Sequence, residues 1–359
     1  MAELKPPNAS KVYERNFAAF MRRKRRLCSF MKTVGLTYDL KSEYKFKPGD
    51  PPDANAEFDH PSTIGVIAKA IEANGFKVER IGNVVNLMDK IGSLKADIVF
   101  NISEGLTGRN RESQVPMLLE MARIPFVGAD ALTLGLTLDK VMAKKIFIAD
   151  GIPTPKFFEA NSSLEIRNMN HHRYPLIVKP RFEGSSKGLS ESSRVENREE
   201  LMKQIDFVVN TYKQPALVEE FISGQEFTVA IVGNGCPEVM PVVQIKIDGK
   251  LKLNDKFYTF ARITSDRLEY ICPAKISAEL RDTLSALALK VYKSVECKDF
   301  GRVDFRVDND GKPYCLEINP LPSLSTEDVF KLIAESIGIT YEQMIGKILQ
   351  SALKRHNLN

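Results

Sequence analysis

The segment Gly301–Pro320 brings two carboxylates together in a way that calls for neutralisation. Arg302-Val303-Asp304-Phe305-Arg306-Val307 alternates polar and apolar residues, and Tyr314-Cys315-Leu316-Glu317-Ile318-Asn319 can do the same, as half-buried strands do. Asp310-Gly311 between them is a type I′ hairpin signal. With those two residues as the turn, Val307 faces Tyr314, Asp304 faces Glu317 and Arg302 faces Asn319. Like charges directly opposite repel at Cβ separations of about 5 Å. Either one carboxyl takes a proton, or both share a cation, or the face is solvated and the pair is an ordinary exposed one. Asp, Glu and Asn are oxygen ligands, suited to Mg²⁺ rather than zinc.

Two further segments carry polar chemistry. In Val178–Gly188 a strand delivers Lys179, and the loop Gly184-Ser185-Ser186-Lys187-Gly188 offers backbone N–H groups, hydroxyls and a second lysine. That is what a phosphate cradle needs, although the GxxxxGK[ST] pattern is absent. In Leu217–Phe227 two short strands flank Ser223-Gly224 and carry Glu219 and Glu226. Those acids can accept hydrogen bonds from a nucleotide, or sit on a surface hairpin.

The elements that must position these groups follow an α/β pattern. Residues 31–130 alternate strand and helix, which argues an N-terminal domain with a parallel sheet. Its expected strands are Lys32–Thr37, Lys77–Ile81, Ala96–Asn101 and Ile124–Val127, with helices Thr63–Asn74, closed by Gly75, and Glu112–Ala122. Residues 131–215 read as a small central unit, with a helix Asp139–Asp150 and another at Glu196–Thr211. Residues 216–359 read as a strand-rich third unit with helices Ala278–Ser294 and Glu327–Lys354.

Composition places the chain among soluble globular proteins: 359 residues, 43% hydrophobic and 27% charged. No apolar run approaches the roughly 18–20 residues of a membrane span, and a cytoplasmic location is expected. The five scattered cysteines read as reduced thiols, and the four histidines form no zinc pattern with them. The net charge of +5 equals the run Arg22-Arg23-Lys24-Arg25-Arg26 in a basic extension, residues 1–30. Phe17, Phe20, Met21, Leu27 and Met31 suggest a helix there, either packed on the body or touching nucleic acid or an anionic membrane. A nucleic-acid partner is not expected.

Taken in chain order, these segments resemble the ATP-grasp superfamily and, within it, the D-alanine–D-alanine ligases. The resemblance runs from about residue 31 to 353 on Leu138-Asp139-Lys140, Ile177-Val178-Lys179-Pro180, Glu183-Gly184-Ser185-Ser186, Val218-Glu219 with Gly224-Gln225-Glu226-Phe227, Gly301-Arg302-Val303-Asp304 and Leu316-Glu317-Ile318-Asn319. It implies an α/β (α+β) ATP-grasp fold. It also implies an ADP-forming ligase that activates a carboxylate as an acyl phosphate and joins it to an amine. By resemblance Lys140 and Lys179 contact ATP phosphates, the loop around Ser185 and Ser186 closes over them, Glu219 lies at the adenine and Glu226 at the ribose. Asp304, Glu317 and Asn319 hold two Mg²⁺ ions, with Mn²⁺ as an alternative, Arg302 stabilises the acyl phosphate and tetrahedral intermediate, and Lys256 reaches the γ-phosphate.

The departures fall on the amino-acid side. The family's Gly-Gly-x-Ser-x-Glu corresponds to Val34–Leu40, where Asp39 is the available acid. Its His-Gly corresponds to Glu104-Gly105, followed by Arg109 and Arg111. Its Thr-x-Pro-Gly-Met-Thr corresponds to Pro320–Ser325, which makes Ser323 a candidate. Ligands of open α/β sheets sit beyond the carboxyl ends of the strands. Glu104 is therefore expected to hold a substrate ammonium and Arg109 or Arg111 a carboxylate, unless they pair with each other at the surface. The substrates expected are D-alanine or another amino acid or peptide, and a homodimer is compatible with the family. A nucleotide-binding relative that has lost turnover is the competing reading. A chain starting near Met31 is expected to fold and keep its activity, measured as soluble yield and turnover, because every motif lies downstream.

Overall fold

The computed structural model describes residues 32–166, 173–263, 265 and 267–358. The basic extension 1–30, with its expected helix, lies outside the described residues. β1 (Thr33–Tyr38), β2 (Lys77–Gly82), β3 (Ile98–Ile102) and β4 (Phe126–Val127) form a parallel sheet in the order β2-β1-β3-β4. β3 is buried at every position, as a parallel strand covered on both faces must be. α1 (Pro61–Ala73) starts with Pro61 in its first turn and ends before Gly75, at φ +87°. α2 (Val84–Lys90), capped by Asn83, has no counterpart in the sequence reading, since seven residues carry too little periodicity. α3 (Gln114–Met121) follows a 3₁₀ turn at Arg111–Ser113.

α4 (Ala131–Leu138) and α5 (Lys140–Ala149) meet at Asp139, whose side chain accepts from Met142 N–H and so caps α5. Leu134, Ala143 and Phe147 pack in the core of the third sheet, although the sequence reading groups these helices with the central unit. The central sheet is antiparallel, β5 (Phe157–Ala160), β6 (Leu176–Pro180), β7 (Arg194–Val195) and β8 (Ala216–Glu220) in the order β5-β8-β6-β7, covered by α6 (Arg198–Tyr212). Here the expectation needs correcting: Ala216–Glu220 lies in this sheet, not in the third unit. Leu217–Phe227 is no hairpin, because its two strands belong to different sheets. The long ladder of the second strand with a distant one, Gly224–Val232 against Phe300–Asp308, prevails over a short local pairing.

The third sheet is antiparallel: β9 (Gly224–Val232), β10 (Glu238–Val239), β11 (Val243–Ile247), β12 (Leu268–Ile271), β13 (Phe300–Asp308) and β14 (Pro313–Asn319), ordered β12-β11-β9-β13-β14 with β10 on β9. α7 (Ala278–Ser294) keeps the bounds expected for it and packs on one face. The expected terminal helix is two, α8 (Val329–Ser336) and α9 (Tyr341–Arg355), broken near Gly338 at φ +75°. Phe330, Ile333, Ile345 and Ile348 from these helices pack with Ile64 and Ile67 of α1 and Phe300 of β13, so the first and third sheets share a core.

The β13–β14 turn is one residue longer than expected. Asp308 N–H donates to Lys312 carbonyl, leaving a three-residue loop with Gly311 at φ +83°. Asp308 also accepts from the Asp310 and Lys312 N–H groups, which favours this loop. Val307 therefore pairs with Pro313, not Tyr314. A bulge at Leu316 makes up the difference, so Asp304 still faces Glu317 and Arg302 still faces Asn319.

Asp299, fully buried before β13, accepts from Gly128 N–H (2.9 Å) and Asn234 (2.7 Å) and pairs with Arg355 (2.6 Å). It thus joins the first sheet, the third sheet and α9. Asp299→Ala is expected to lower stability by about 1–3 kcal/mol, read from urea unfolding midpoints, because it leaves the buried Gly128 N–H without its acceptor and the half-buried Arg355 without its carboxylate.

Candidate functional site

The sheets meet around a cavity of about 790 Å³. On β13, Arg302, Asp304 and Arg306 turn toward it while Val303, Phe305 and Val307 are fully buried behind. On β14, Cys315 and Ile318 face the core, and the bulge lets the adjacent residues Leu316 and Glu317 both face the cavity, with Asn319 beyond. Asp304 accepts from Thr228 Oγ1 (2.5 Å), Asn319 Nδ2 (2.9 Å) and Arg302 (3.1 and 3.2 Å). Glu317 pairs with Lys140 at 2.5 Å. Burial raises the Asp304 carboxyl, and Glu317 opposite adds to this against the pull of Arg302. Burial would also raise Glu317, but Lys140 and Lys179 outweigh it and hold that group at about 2. The pair is not a solvated surface pair. Two carboxylates and an amide facing one cavity make a donor set that fits a hard divalent ion.

The lysine wall comes from α5 and the central sheet. Glu219, only 1% exposed, pairs with Lys179 through one oxygen and with Lys144 through the other, both at 2.5 Å. Lys144 is fully buried, donates also to Thr154 Oγ1 (2.8 Å), and was missed from sequence. Its i,i+4 spacing from Lys140 on one helix face was the available signal. Ser185 and Ser186 line the cavity in left-handed conformations, φ +46° and +55°, each costing about 1–3 kcal/mol. The loop is pinned at both ends: Gly184 N–H donates to Glu57 (2.7 Å) and Gly188 N–H to Asp53 (2.8 Å). Asp53 also accepts from the Tyr212 hydroxyl at 2.9 Å. Glu226 pairs with Arg306 (2.9 Å), yet burial lifts its carboxyl to about 7. Lys256 pairs with Asp248; its neighbours Phe257 and Tyr258 line the cavity and it does not.

The third wall comes from the first sheet. Glu104, in the turn after β3, lines the cavity, as does Ser323 in the loop after β14. The two arginines do not. Arg109 is exposed, pairs with Asp139 (2.6 Å) and lies over the Phe182 ring. Arg111 is buried and donates to Glu57 (2.6 Å) and to the Phe182 carbonyl (2.7 Å). Asp39 accepts from Ser103 Oγ (2.6 Å) and Gly105 N–H (2.9 Å), so it fixes the turn that carries Glu104. Glu57, Asp59 and Glu112 also line the cavity and were missed. Glu57 and Asp59 lie in a non-periodic Pro- and Asp-rich excursion between β1 and α1, and Glu112 was read only as a helix residue.

A family profile described as "D-ala D-ala ligase C-terminus" matches residues 146–350. The uncharacterized protein y4sG of Sinorhizobium fredii is 36% identical over 259 residues, covering 72% of this chain and 75% of its own. A D-alanine–D-alanine ligase of Carboxydothermus hydrogenoformans is 33% identical over 304 residues, 81% of this chain and 93% of its own. In fold, the chain is similar to a Bacillus anthracis D-alanine–D-alanine ligase complexed with ATP, with a TM-score of 0.69, 22% identity and coverage of 92% and 99%. It is also similar to the VanG D-Ala:D-Ser ligase of Enterococcus faecalis, with a TM-score of 0.68, 22% identity and coverage of 90% and 100%.

Asp53→Ala removes one anchor of the Ser185 loop without touching the cavity wall. Amide hydrogen exchange over residues 184–189 should rise about tenfold, the equivalent of about 1.4 kcal/mol, while β9 amides stay unchanged.

Proposed function

The chain belongs to the D-alanine–D-alanine ligase family of ATP-grasp enzymes, and on that premise we propose that it is an ATP-dependent, ADP-forming ligase that activates an amino-acid or peptide carboxylate and joins it to an amine. The observation that carries the reading is the convergence of Lys140, Lys179, Arg302, Asp304, Glu317 and Asn319 on one cavity. Asp304, Glu317 and Asn319 would hold Mg²⁺, two ions in the family pattern or Mn²⁺ in its place. That metal supplies neutralisation of the charge on the transferring phosphoryl group.

The rest is the work of the chain's own residues. Lys140 and Lys179 are paired with Glu317 and Glu219, so binding phosphates exchanges protein carboxylates for phosphate oxygens. Lys144 keeps Glu219 in position throughout. Ser185 and Ser186 close over the phosphates. Ile177 and Leu316, both on the cavity wall, are suited to flank an adenine, with Glu219 at its amino group and Glu226 at the ribose hydroxyls. Arg302 donates to the oxygen on which charge grows as the amine attacks the acyl phosphate. Lys256 would have to leave Asp248 to reach the γ-phosphate. Glu104 receives the ammonium of the carboxylate substrate, and Arg111 acts through Glu57 as a positioning residue. Ser323 lines the acceptor end. Among the described residues no helix is long and apolar enough to cross a membrane. We place the enzyme in the cytoplasm, where ATP is available, and a homodimer is compatible with the family.

The test is phosphate release and product mass with purified protein, ATP, Mg²⁺ and a panel of amino acids and dipeptides in both configurations. Asp304→Asn or Glu317→Gln is expected to abolish turnover with little change in melting temperature. Arg302→Ala should lower kcat about 10²–10³-fold with a small change in KM for ATP, and Lys179→Ala should chiefly raise that KM. Near-normal turnover in either acid variant at saturating Mg²⁺, or purely KM effects from Arg302→Ala, would overturn the assignment.

A further inference from the structure

Four carboxylates face the cavity from the first-sheet wall, Glu57, Asp59, Glu104 and Glu112. Glu57, Glu104 and Glu112 each offer an oxygen within 4.8 Å of the other two. The cations nearby are already committed. Arg111 and Lys187 pair with Glu57 and Glu183, and Arg111 also donates to the Phe182 carbonyl, its Nε–H being left without a partner among the described residues. The Glu112 side chain is only 8% exposed, lines the cavity, and has no hydrogen bond or ion pair among the described residues. Glu104 and Asp59 likewise carry no side-chain hydrogen bond or ion pair there. A carboxylate so buried needs a partner, and this one faces open volume.

The geometry suits a primary ammonium. Its three N–H donors, each about 2.8 Å from an acceptor and tetrahedrally disposed, require acceptors about 4.6 Å apart. The charge balance asks for more than one cation. With Glu57 and Glu183 offset, Glu104, Glu112 and Asp59 remain without an ion pair among the described residues, and Arg111, Lys140 and Lys41 act on them only from farther off. Burial lifts all three carboxyls, Glu112 and Asp59 to about 7, against the pull of Arg111 on Glu104 and Glu112 and of Lys41 on Asp59. The cluster lies within electrostatic reach of Lys140, and so at the end of the cavity where the activated carboxylate would meet phosphate.

Resting on the ligase reading above, we infer that the carboxylate substrate is a diamino acid, one ammonium held by Glu57, Glu104 and Glu112 and the second by Asp59 with Glu104. One α-ammonium on Glu57, Glu104 and Glu112 would leave Asp59 without a partner, whereas a second amino group on the side chain supplies one.

The experiment is isothermal titration of the full chain, loaded with Mg²⁺ and a non-hydrolysable ATP analogue. The ligands are 2,3-diaminopropionate, 2,4-diaminobutyrate, ornithine and lysine, each against the neutral amino acid of similar length, in both configurations. The best diamino acid is expected to bind at least about tenfold more tightly than its neutral counterpart, and Glu104→Gln and Glu112→Gln are each expected to erase that preference. Wild-type protein without the preference overturns the inference even if the variants do not fold. So does a preference that survives both substitutions. Mg²⁺ or Ca²⁺ binding without nucleotide, lost in Glu112→Gln, would reassign the cluster to a metal. Phosphate release that is equally efficient with neutral amino acids removes the inference and leaves the ligase standing. Failure to bind the ATP analogue at all removes both.

Discussion

The central sheet shares no apolar cluster with the rest of the described structure. Its core is made only of residues between 158 and 218, whereas the first and third sheets are joined through α1, α8 and α9. Charges hold it to the body instead. Arg181, just past β6, makes a bidentate pair with the buried Asp139 at the start of α5, both contacts at 2.7 Å. Lys144 of α5 reaches Glu219 of β8, and Glu57 and Asp53 of the excursion after β1 grip the Ser185 loop. Such pairs fix geometry more than they add stability, since desolvation offsets most of their attraction. A seam of this kind also allows movement, because polar interfaces between units rearrange more readily than apolar ones. The lysines at the cavity are paired with carboxylates that a phosphate can displace. Those pairs, Lys179 with Glu219 and Lys140 with Glu317, each lie on one side of the seam, so exchanging them leaves the seam contacts in place.

The opposite wall shows the reverse condition. Glu219 is held by two lysines of the protein, while Glu112 has no ion pair among the described residues. Unpaired buried acids destabilise a fold, so a cluster of them is a cost that a ligand of matching charge can relieve. The same cost discriminates among ligands, because a substrate without the matching cation leaves it in place.

What could be read from the sequence was what depends on local period. The alternation along β13, the Gly75 stop after α1 and the bounds of α7 are short-range signals, and the structure follows them closely. The family motifs lie on such elements, so Arg302, Asp304, Glu317, Asn319, Lys140 and Lys179 could be named in advance, and the structure brings them to one cavity. Pairing across the chain leaves no local trace. Nothing in Ala216–Glu220 says that it joins β5 and β6 rather than β9. Nothing in the excursion that carries Asp53, Glu57 and Asp59 says that it folds against a loop some 130 residues away. Arg111 showed the limit of reasoning from residue type: an arginine suited to a substrate carboxylate is used to hold a glutamate of the protein.

The long turn and the bulge at Leu316 cancel, and this separates two parts of one hairpin. Between Leu316 and the tip, the strands run in one phase; from Leu316 to the cavity they run in another. The bulge is a phase corrector, so a change in tip length can be absorbed beside it before reaching Asp304 and Glu317. Descendants of this chain can therefore lengthen or shorten the tip while the Asp304–Glu317 rung keeps its alignment. Deleting Leu316 itself would remove the corrector, leaving Glu317 next after Cys315 and still opposite Asp304 in the register set by the tip.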